Sequence, residues 1–334
     1  MRIAIVRLTS LGDLVHTLSV AHALRLHNPD NYIVWIVEEQ ERTLLLNNPA
    51  VDEVVVGPAR SWRRQLRTPR GAVQVLRELK ELNDRLRALR LDVAIDVQGL
   101  LKSAIFTLLT HAPVRIGFGR RYAREPLSSL FTNHRVTPPP DAVHMVEWNL
   151  SLLKPLGIPV PEIAFPLPHV PEDEARASDL LQEHGVTPQD RVVTLIPATR
   201  RLPKQWPPAS FRELAESLVR EPQARILLLV GPGEERLLQL VAQGLDGRAI
   251  PISATSISEV VAFLRRAHLV VGNDTGPLHL AAALGVPTIG LYGPTRPERN
   301  GPYGPQVRVI QSPTERMEDI RVETVLEVAK EWLR

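Results

Sequence analysis

At 334 residues the chain is too long for one ordinary hydrophobic core and suits two domains of about 150 residues each. Lys and Arg total 40 against 37 Asp and Glu, a formal net charge of +3, with 44% hydrophobic and 23% charged residues, as in an ordinary globular protein. The absence of cysteine excludes disulfides and thiolate metal sites, the opening apolar run Ile3–Val6 is too short for a signal peptide, and no run approaches the roughly 20 residues of a membrane span, so the expectation is a cytoplasmic protein.

Along the first half, short apolar runs alternate with helical periodicity, the pattern of a parallel sheet covered by helices. Strands are predicted at Ile3–Val6, Tyr32–Val37, Val54–Val56, Val93–Asp96 and Arg115–Gly117. Leu14, Leu18, Ala21 and Leu24 form one helical stripe; Leu76, Leu79, Leu82, Leu86 and Leu89 form a second, and a further helix is expected over residues 142–154. The stretch Pro155–Pro171 holds six prolines, which forbid a regular helix or central strand, and marks the domain boundary. The domains are therefore placed at residues 1–160 and 173–315, with a linker over 161–172. Beyond it, strands are predicted at Val192–Ile196, Ile226–Val230, Leu269–Gly272 and Thr288–Tyr292, with helices near 208–220, 234–244, 256–266 and 275–284. Ser256 and Glu259 have capping-box spacing. Residues 316–334 read as one more amphipathic helix. The class is α/β, two doubly wound domains with a cleft between them and ligands beyond the carboxyl ends of the strands.

Several strand ends carry candidate chemistry. After the first strand comes Arg7-Leu-Thr-Ser-Leu-Gly-Asp13, where Gly12 would permit a tight turn and Asp13 lies at a helix N-terminus. Asp13 is either a simple N-cap or a carboxylate on the cleft floor, kept ionised by the helix dipole and able to take a proton. Arg60, Arg63, Arg64 and Arg67 form a basic cluster without an acid, and Arg115, Arg120, Arg121 and Arg124 a second; the pair points towards an anionic partner. In the second half, Thr199 and Lys204 follow one strand and Glu234 the next, where a carboxylate would meet ribose hydroxyls. The Val270–His279 segment repeats the strand-to-helix construction, with Asp274, Thr275 and Gly276 at an anion-binding helix start. Asp274 also suits an N-cap, and His279 a structural role. Motifs of dinucleotide-binding, P-loop, zinc-protease and serine-hydrolase enzymes are missing.

Taken together, Thr9-Ser-Leu-Gly-Asp-Leu-Val-His-Thr17, Trp35–Glu39, Asp96–Ser103, Ala123–Phe131, Lys204-Gln-Trp206, Asp274-Thr-Gly276 with His279, and Tyr292-Gly-Pro-Thr295 resemble the lipopolysaccharide heptosyltransferase family nearly end to end. The resemblance implies a GT-B fold with the acceptor on the first domain, the donor on the second, and the last helix crossing back to the first. It implies metal-independent, inverting transfer of heptose from ADP-heptose to Kdo-lipid A, with no cofactor. Asp13 would be the general base, aided on the acceptor side by Ser10, Gly12, Arg60, Arg63, Arg64 and Arg124. Lys204 and Thr199 would neutralise the leaving diphosphate together with the amides of Thr275 and Gly276. Asp274 would contact the sugar, and Glu234, or Glu235 beside it, the ribose. Arg200-Arg201-Leu202-Pro203 departs from the polar run that the family carries before this lysine. The implied enzyme works at the cytoplasmic face of the inner membrane and binds no nucleic acid; its oligomeric state is not given by the sequence, and a monomer is the default expectation. Alternatives are a sister transferase with another donor or a later acceptor, and a GT-B epimerase or a non-catalytic sugar-nucleotide binder.

Overall fold

Mostly apolar strands are the mark of a sheet covered on both faces, and two sheets with such strands at their centres organise the chain. The computed structural model describes every residue except Pro161, Pro222, Asp246 and Arg334. Pro161, the first residue of the expected linker, and Arg334, the last of the expected final helix, lie outside the described residues. The chain divides into two units, Met1–Pro168 and His169–Arg334.

The first unit runs β1 (Arg2–Val6), α1 (Leu11–His27), β2 (Tyr32–Val37), β3 (Glu53–Val56), α2 (Ala59–Gln65), α3 (Pro69–Ala88), β4 (Val93–Asp96), α4 (Leu101–Leu109), β5 (Val114–Phe118), β6 (His134–Val136) and α5 (Met145–Ser151). Its six parallel strands lie in the order β3-β2-β1-β4-β5-β6. Helices α2, α3 and α4 cover one face through Trp62, Val75, Leu82, Leu86 and Phe106, and α1 packs against α5. The expected stripe on α3 is shifted: Val75 is buried, whereas Leu76 points to solvent.

The second unit repeats the plan with α6 (Pro171–Glu183), β7 (Arg191–Ile196), α7 (Pro208–Leu218), β8 (Ala224–Val230), α8 (Glu235–Ala242), β9 (Ala249–Ser253), α9 (Ile257–Leu264), β10 (Leu269–Asn273), α10 (Gly276–Ala283), β11 (Thr288–Tyr292), α11 (Pro297–Asn300), β12 (Val307–Gln311) and α12 (Val322–Leu333). Its strand order, β12-β11-β10-β7-β8-β9, is the same winding once its strands are renumbered from β7. The expected linker overlaps the start of α6: Pro171 stands at the first helical position, where its missing N–H costs nothing, and Glu172, Asp173 and Glu174 complement the helix dipole.

The last helix packs within the second unit. Val322, Val325 and Ala329 are buried in the second unit's own core, and α12 packs on α7. The preceding turn is pinned because the buried Trp206 indole donates to the Ile320 carbonyl at 3.0 Å. The capping box at Ser256 is half formed. Its hydroxyl accepts from the Glu259 N–H at 3.1 Å, but the Glu259 carboxylate turns one residue further back, to the N–H and hydroxyl of Thr255.

Candidate active site

In both units the strand order reverses beside the first strand of the fold, between β1 and β4 and between β7 and β10. Loops leaving these paired strands diverge to opposite faces, and the space between them is where doubly wound sheets hold ligands. Asp13 and the Asp96–Lys102 segment follow β1 and β4. The Thr199–Lys204 and Asn273–Gly276 segments follow β7 and β10.

At the first of these sites the N-cap of α1 is Ser10, and Asp13 is the third helical residue. This corrects the reading of Asp13 as N-cap. Its Oδ2 accepts from the Ser10 N–H at 3.3 Å and the Ser10 hydroxyl at 3.0 Å, and it pairs with Arg7 Nη2 at 2.7 Å. Arg7 is almost fully buried and also donates to the Val97 carbonyl at 3.1 Å, while its own carbonyl accepts from the Trp35 indole at 3.1 Å. Burial by itself would raise the Asp13 pKa; the Arg7 charge and the Ser10 N–H override it and hold the carboxyl down at about 2. Gly12 lies within the first turn of α1 rather than in a separate tight turn. Being glycine, it adds no side chain of its own beside the carboxylate.

Neighbouring strand ends add groups to which the sequence assigned no role. Thr9 Oγ1 accepts from Lys102 Nζ at 3.3 Å and from Gln98 Nε2 at 3.4 Å. Burial lowers the Lys102 pKa, and burial raises that of Glu38, which accepts from the Arg60 N–H at 3.0 Å. Arg7 and Lys102 were visible only as members of motifs, with no local signal for their pairing. Arg60 is exposed on α2 and pairs with Glu41 at 3.7 Å. Arg63 and Arg64 are exposed on the same helix, and Arg124 is exposed two positions before the 3₁₀ turn Pro126–Phe131.

Beneath this cluster, burial pushes the Asp96 carboxyl up to about 6, although the N–H groups of Gln98 and Gly99 each donate to its Oδ1 at 3.0 Å. A carboxyl raised above its ordinary 3.8 stabilises the fold below that value and loses the contribution as pH rises through 6. Asp96→Asn keeps the Oδ1 acceptor and removes the ionisation. Relative to the unsubstituted chain it gains on the order of 2 kcal/mol between about pH 4 and about pH 8. Urea unfolding at the two pH values measures this, and an unchanged difference would contradict the buried ionisation.

In the second unit, Asp274 is the hub. Its Oδ2 meets Lys204 Nζ at 2.5 Å and accepts from the Thr295 hydroxyl at 2.9 Å. Its Oδ1 lies 3.5 Å from the Tyr292 hydroxyl, which donates, and 3.9 Å from His279 Nε2. Burial would raise the carboxyl, but His279 and Lys204 hold it well below the usual carboxylate range; burial and the Asp274 charge together push the Tyr292 phenol well above 10. Asn273 brings the lysine loop in: its amide donates to the Pro197 carbonyl at 2.8 Å, and its Oδ1 accepts from the Trp206 N–H at 2.9 Å. Gly272 permits this approach, because a Cβ there would stand 2.9 Å from Ile196 Cβ. Thr275, not Asp274, is the N-cap of α10, so the amides of Thr275 and Gly276 head the helix as expected of an anion site.

Thr199 is half-buried just past β7. Glu234 is the N-cap residue of α8, and its Oε2 accepts from the Gly231 N–H at 2.9 Å; Glu235 accepts from the Gly233 N–H at 3.0 Å and the Ser253 hydroxyl at 3.3 Å. Both glutamates thus brace their own loop. The structure unites Lys204, Asp274 and His279, adds Tyr292 and Thr295, and leaves Thr199 earlier in the loop after β7 and Glu234 in the loop after β8. Among the described residues no group of three or more His, Cys, Asp or Glu is placed to hold a metal ion, and no helix is long and apolar enough to cross a membrane.

Residues 79–330 match the model of glycosyltransferase family 9 (heptosyltransferase), well over half of the chain. The chain belongs to glycosyltransferase family 9. Its two doubly wound sheets are the GT-B pair of this heptosyltransferase family. The family 9 chain is 33% identical to lipopolysaccharide heptosyltransferase 1 of Escherichia coli strain K12, over 98% of each chain. With the protein of that name from Pseudomonas aeruginosa it shares 33% identity over 91% of this chain and 82% of the relative. The E. coli heptosyltransferase WaaC, solved with ADP-2-deoxy-2-fluoro heptose, superposes with a TM-score of 0.82 at 31% identity, over 99% of both chains.

Proposed function

We propose that this family 9 glycosyltransferase moves L-glycero-D-manno-heptose from ADP-heptose to Kdo-lipid A, with inversion and with Asp13 as general base. The observation that carries the reading is the near end-to-end likeness to proteins named lipopolysaccharide heptosyltransferase 1. The Asp13 cluster supports it chemically. A carboxylate whose pKa is near 2 is ionised at any working pH, but is a weak base towards a resting hydroxyl. It orients the acceptor hydroxyl first and takes the proton late, once the new bond to the anomeric carbon has made that hydroxyl strongly acidic. The acceptor oxygen attacks the anomeric carbon from the face opposite the diphosphate, the bond to the diphosphate breaks, and ADP departs carrying the negative charge.

Charge on the leaving group is met by Lys204, Thr199 and the amides of Thr275 and Gly276. Asp274 takes the sugar hydroxyls and Glu234 the ribose. Ser10, Arg60, Arg63, Arg64 and Arg124 hold the phosphates and carboxylates of the acceptor, which the enzyme meets as a monomer at the cytoplasmic face of the inner membrane. The deciding experiment is ADP release from ADP-heptose with and without Kdo-lipid A, followed by the mass of the lipid. Acceptor-dependent release with a gain of one heptose is expected. Preference for a UDP- or GDP-sugar, or donor consumption without acceptor, would overturn the reading in favour of a sister transferase or an epimerase.

The same assay tests the charge arrangement. With lysine and helix amides at the diphosphate, excess chelator is expected to leave turnover within about twofold of its starting value. Loss of activity that added magnesium or manganese restores would show that a metal carries the charge instead.

A further inference from the structure

Helix α4 and the 3₁₀ turn Pro126–Phe131 pack side by side, and both are built inside out. On α4 the inward face holds Ser103 and Thr107 as well as Ala104 and Phe106, while Leu101, Ile105 and Leu108 are 39%, 46% and 49% exposed. On the turn, Ser128 and Ser129 are buried, and Leu127 and Leu130 are 55% and 67% exposed. The buried hydroxyls need no outside partner because each donates to its own backbone: Ser103 to the Leu100 carbonyl at 2.8 Å, Thr107 to that of Ser103 at 3.0 Å, Ser128 to Glu125 at 2.7 Å and Ser129 to Pro126 at 2.8 Å. Small hydroxyl side chains thus share the inward faces with Ala104 and Phe106, and five aliphatic side chains are left to water on adjoining elements. A scattered exposed leucine means little; a contiguous set with the polar residues turned inward marks a surface that is covered in use.

The charges around it indicate what covers it. Arg115 donates to the Phe131 carbonyl at 3.0 Å and Arg135 to the Ser129 carbonyl at 2.9 Å, so both guanidinium groups are held against the turn, and Arg124 is exposed just before it. The acid among them, Glu125, accepts from the Leu101 N–H at 2.6 Å at the start of α4. Aliphatic side chains beside arginines match the boundary between acyl chains and anionic headgroups. A second copy docking on this face about a two-fold axis would instead bring like charges together.

We propose that the α4 face and the 126–131 turn form a surface that docks on an anionic lipid bilayer. The inference rests on the reading of the acceptor as a membrane lipid and adds how that lipid is reached. Lys102, the second residue of α4, already touches Thr9 in the Asp13 cluster. Docking through the outer face of the helix therefore puts the membrane surface beside the acceptor site.

The test compares the full chain with an Ile105→Ser/Leu108→Ser/Leu127→Ser/Leu130→Ser variant, whose changes are all at exposed positions and whose thermal unfolding is checked first. The unsubstituted chain is expected to co-sediment with phosphatidylglycerol–phosphatidylethanolamine vesicles, less so at high salt, and only weakly with phosphatidylcholine vesicles. The variant is expected to lose about tenfold or more in vesicle affinity, and in transfer to vesicle-embedded Kdo-lipid A, with transfer to a water-soluble deacylated acceptor unchanged. Equal vesicle binding by both proteins, no binding by either, or a concentration-dependent dimer that the variant abolishes would each overturn the proposal. Vesicle binding without any sugar transfer would instead overturn the acceptor reading alone.

Discussion

Replacing Asp13 with asparagine is expected to lower turnover about a thousandfold while ADP binding stays within about twofold. Asparagine keeps an oxygen to accept from the Ser10 N–H and hydroxyl, so the start of α1 survives. It has no charge to hold the acceptor hydroxyl's proton. The substitution also removes the partner of Arg7, a guanidinium with 5% side-chain exposure. Because the folded pKa of Asp13 lies below the ordinary 3.8, the pair adds stability above that value and loses it only as pH falls through 2. At neutral pH, Asp13→Asn therefore costs on the order of 2 kcal/mol of stability. Asp13→Ala costs more, since it also strips the helix start. Measuring turnover, ADP binding and urea unfolding on the same protein separates the two roles. Turnover that falls only in proportion to the folded fraction would reduce Asp13 to a structural residue.

Lys204→Met is expected to lower kcat/KM by about a hundredfold to a thousandfold and to weaken ADP binding by at least about tenfold. The methylene stem is largely retained, so the loss is chiefly that of charge. Two things follow from the 2.5 Å pair with Asp274. Removing the lysine leaves a largely buried carboxylate with His279, Tyr292 and Thr295 around it, and the Asp274 pKa rises towards the ordinary range. An Asp274→Asn/Lys204→Met double variant should then unfold at a higher temperature than Lys204→Met alone, because the uncompensated charge is gone. Arginine at 204 is not a rescue, since its planar fork does not fit a space shaped for an ammonium group. Unchanged ADP affinity in Lys204→Met would place the lysine's role on the sugar side rather than at the diphosphate.

The places where sequence reading and structure part have common physical causes. Strands Tyr32–Val37, Val93–Asp96 and Thr288–Tyr292 stand at the expected residues because each is buried along almost its whole length and mostly apolar. The three unforeseen strands, β6, β9 and β12, lie at sheet edges. There the outer side meets water: β6 reads His-Arg-Val, β12 has no fully buried residue, and β9 carries Pro251, which an edge tolerates. Helix α4 escaped the periodicity argument because Leu101, Ile105 and Leu108 face outward and its hydroxyls inward.

The sequence by itself determined the class of fold, the repeated strand-to-helix construction, the family, and the residues Asp13, Lys204 and Asp274 as those to watch, since each sits where a local pattern changes period. Only the tertiary structure decided that Ser10 rather than Asp13 caps α1, that Arg7 fixes the Asp13 charge, that Thr295 and Tyr292 complete the Asp274 hub, and that the last helix packs within the second unit. The reason is the winding of the sheets: neighbouring strands at the reversal point come from distant parts of the chain, so groups about 70 residues apart, such as Lys204 and Asp274, meet at 2.5 Å with no local signal of their pairing.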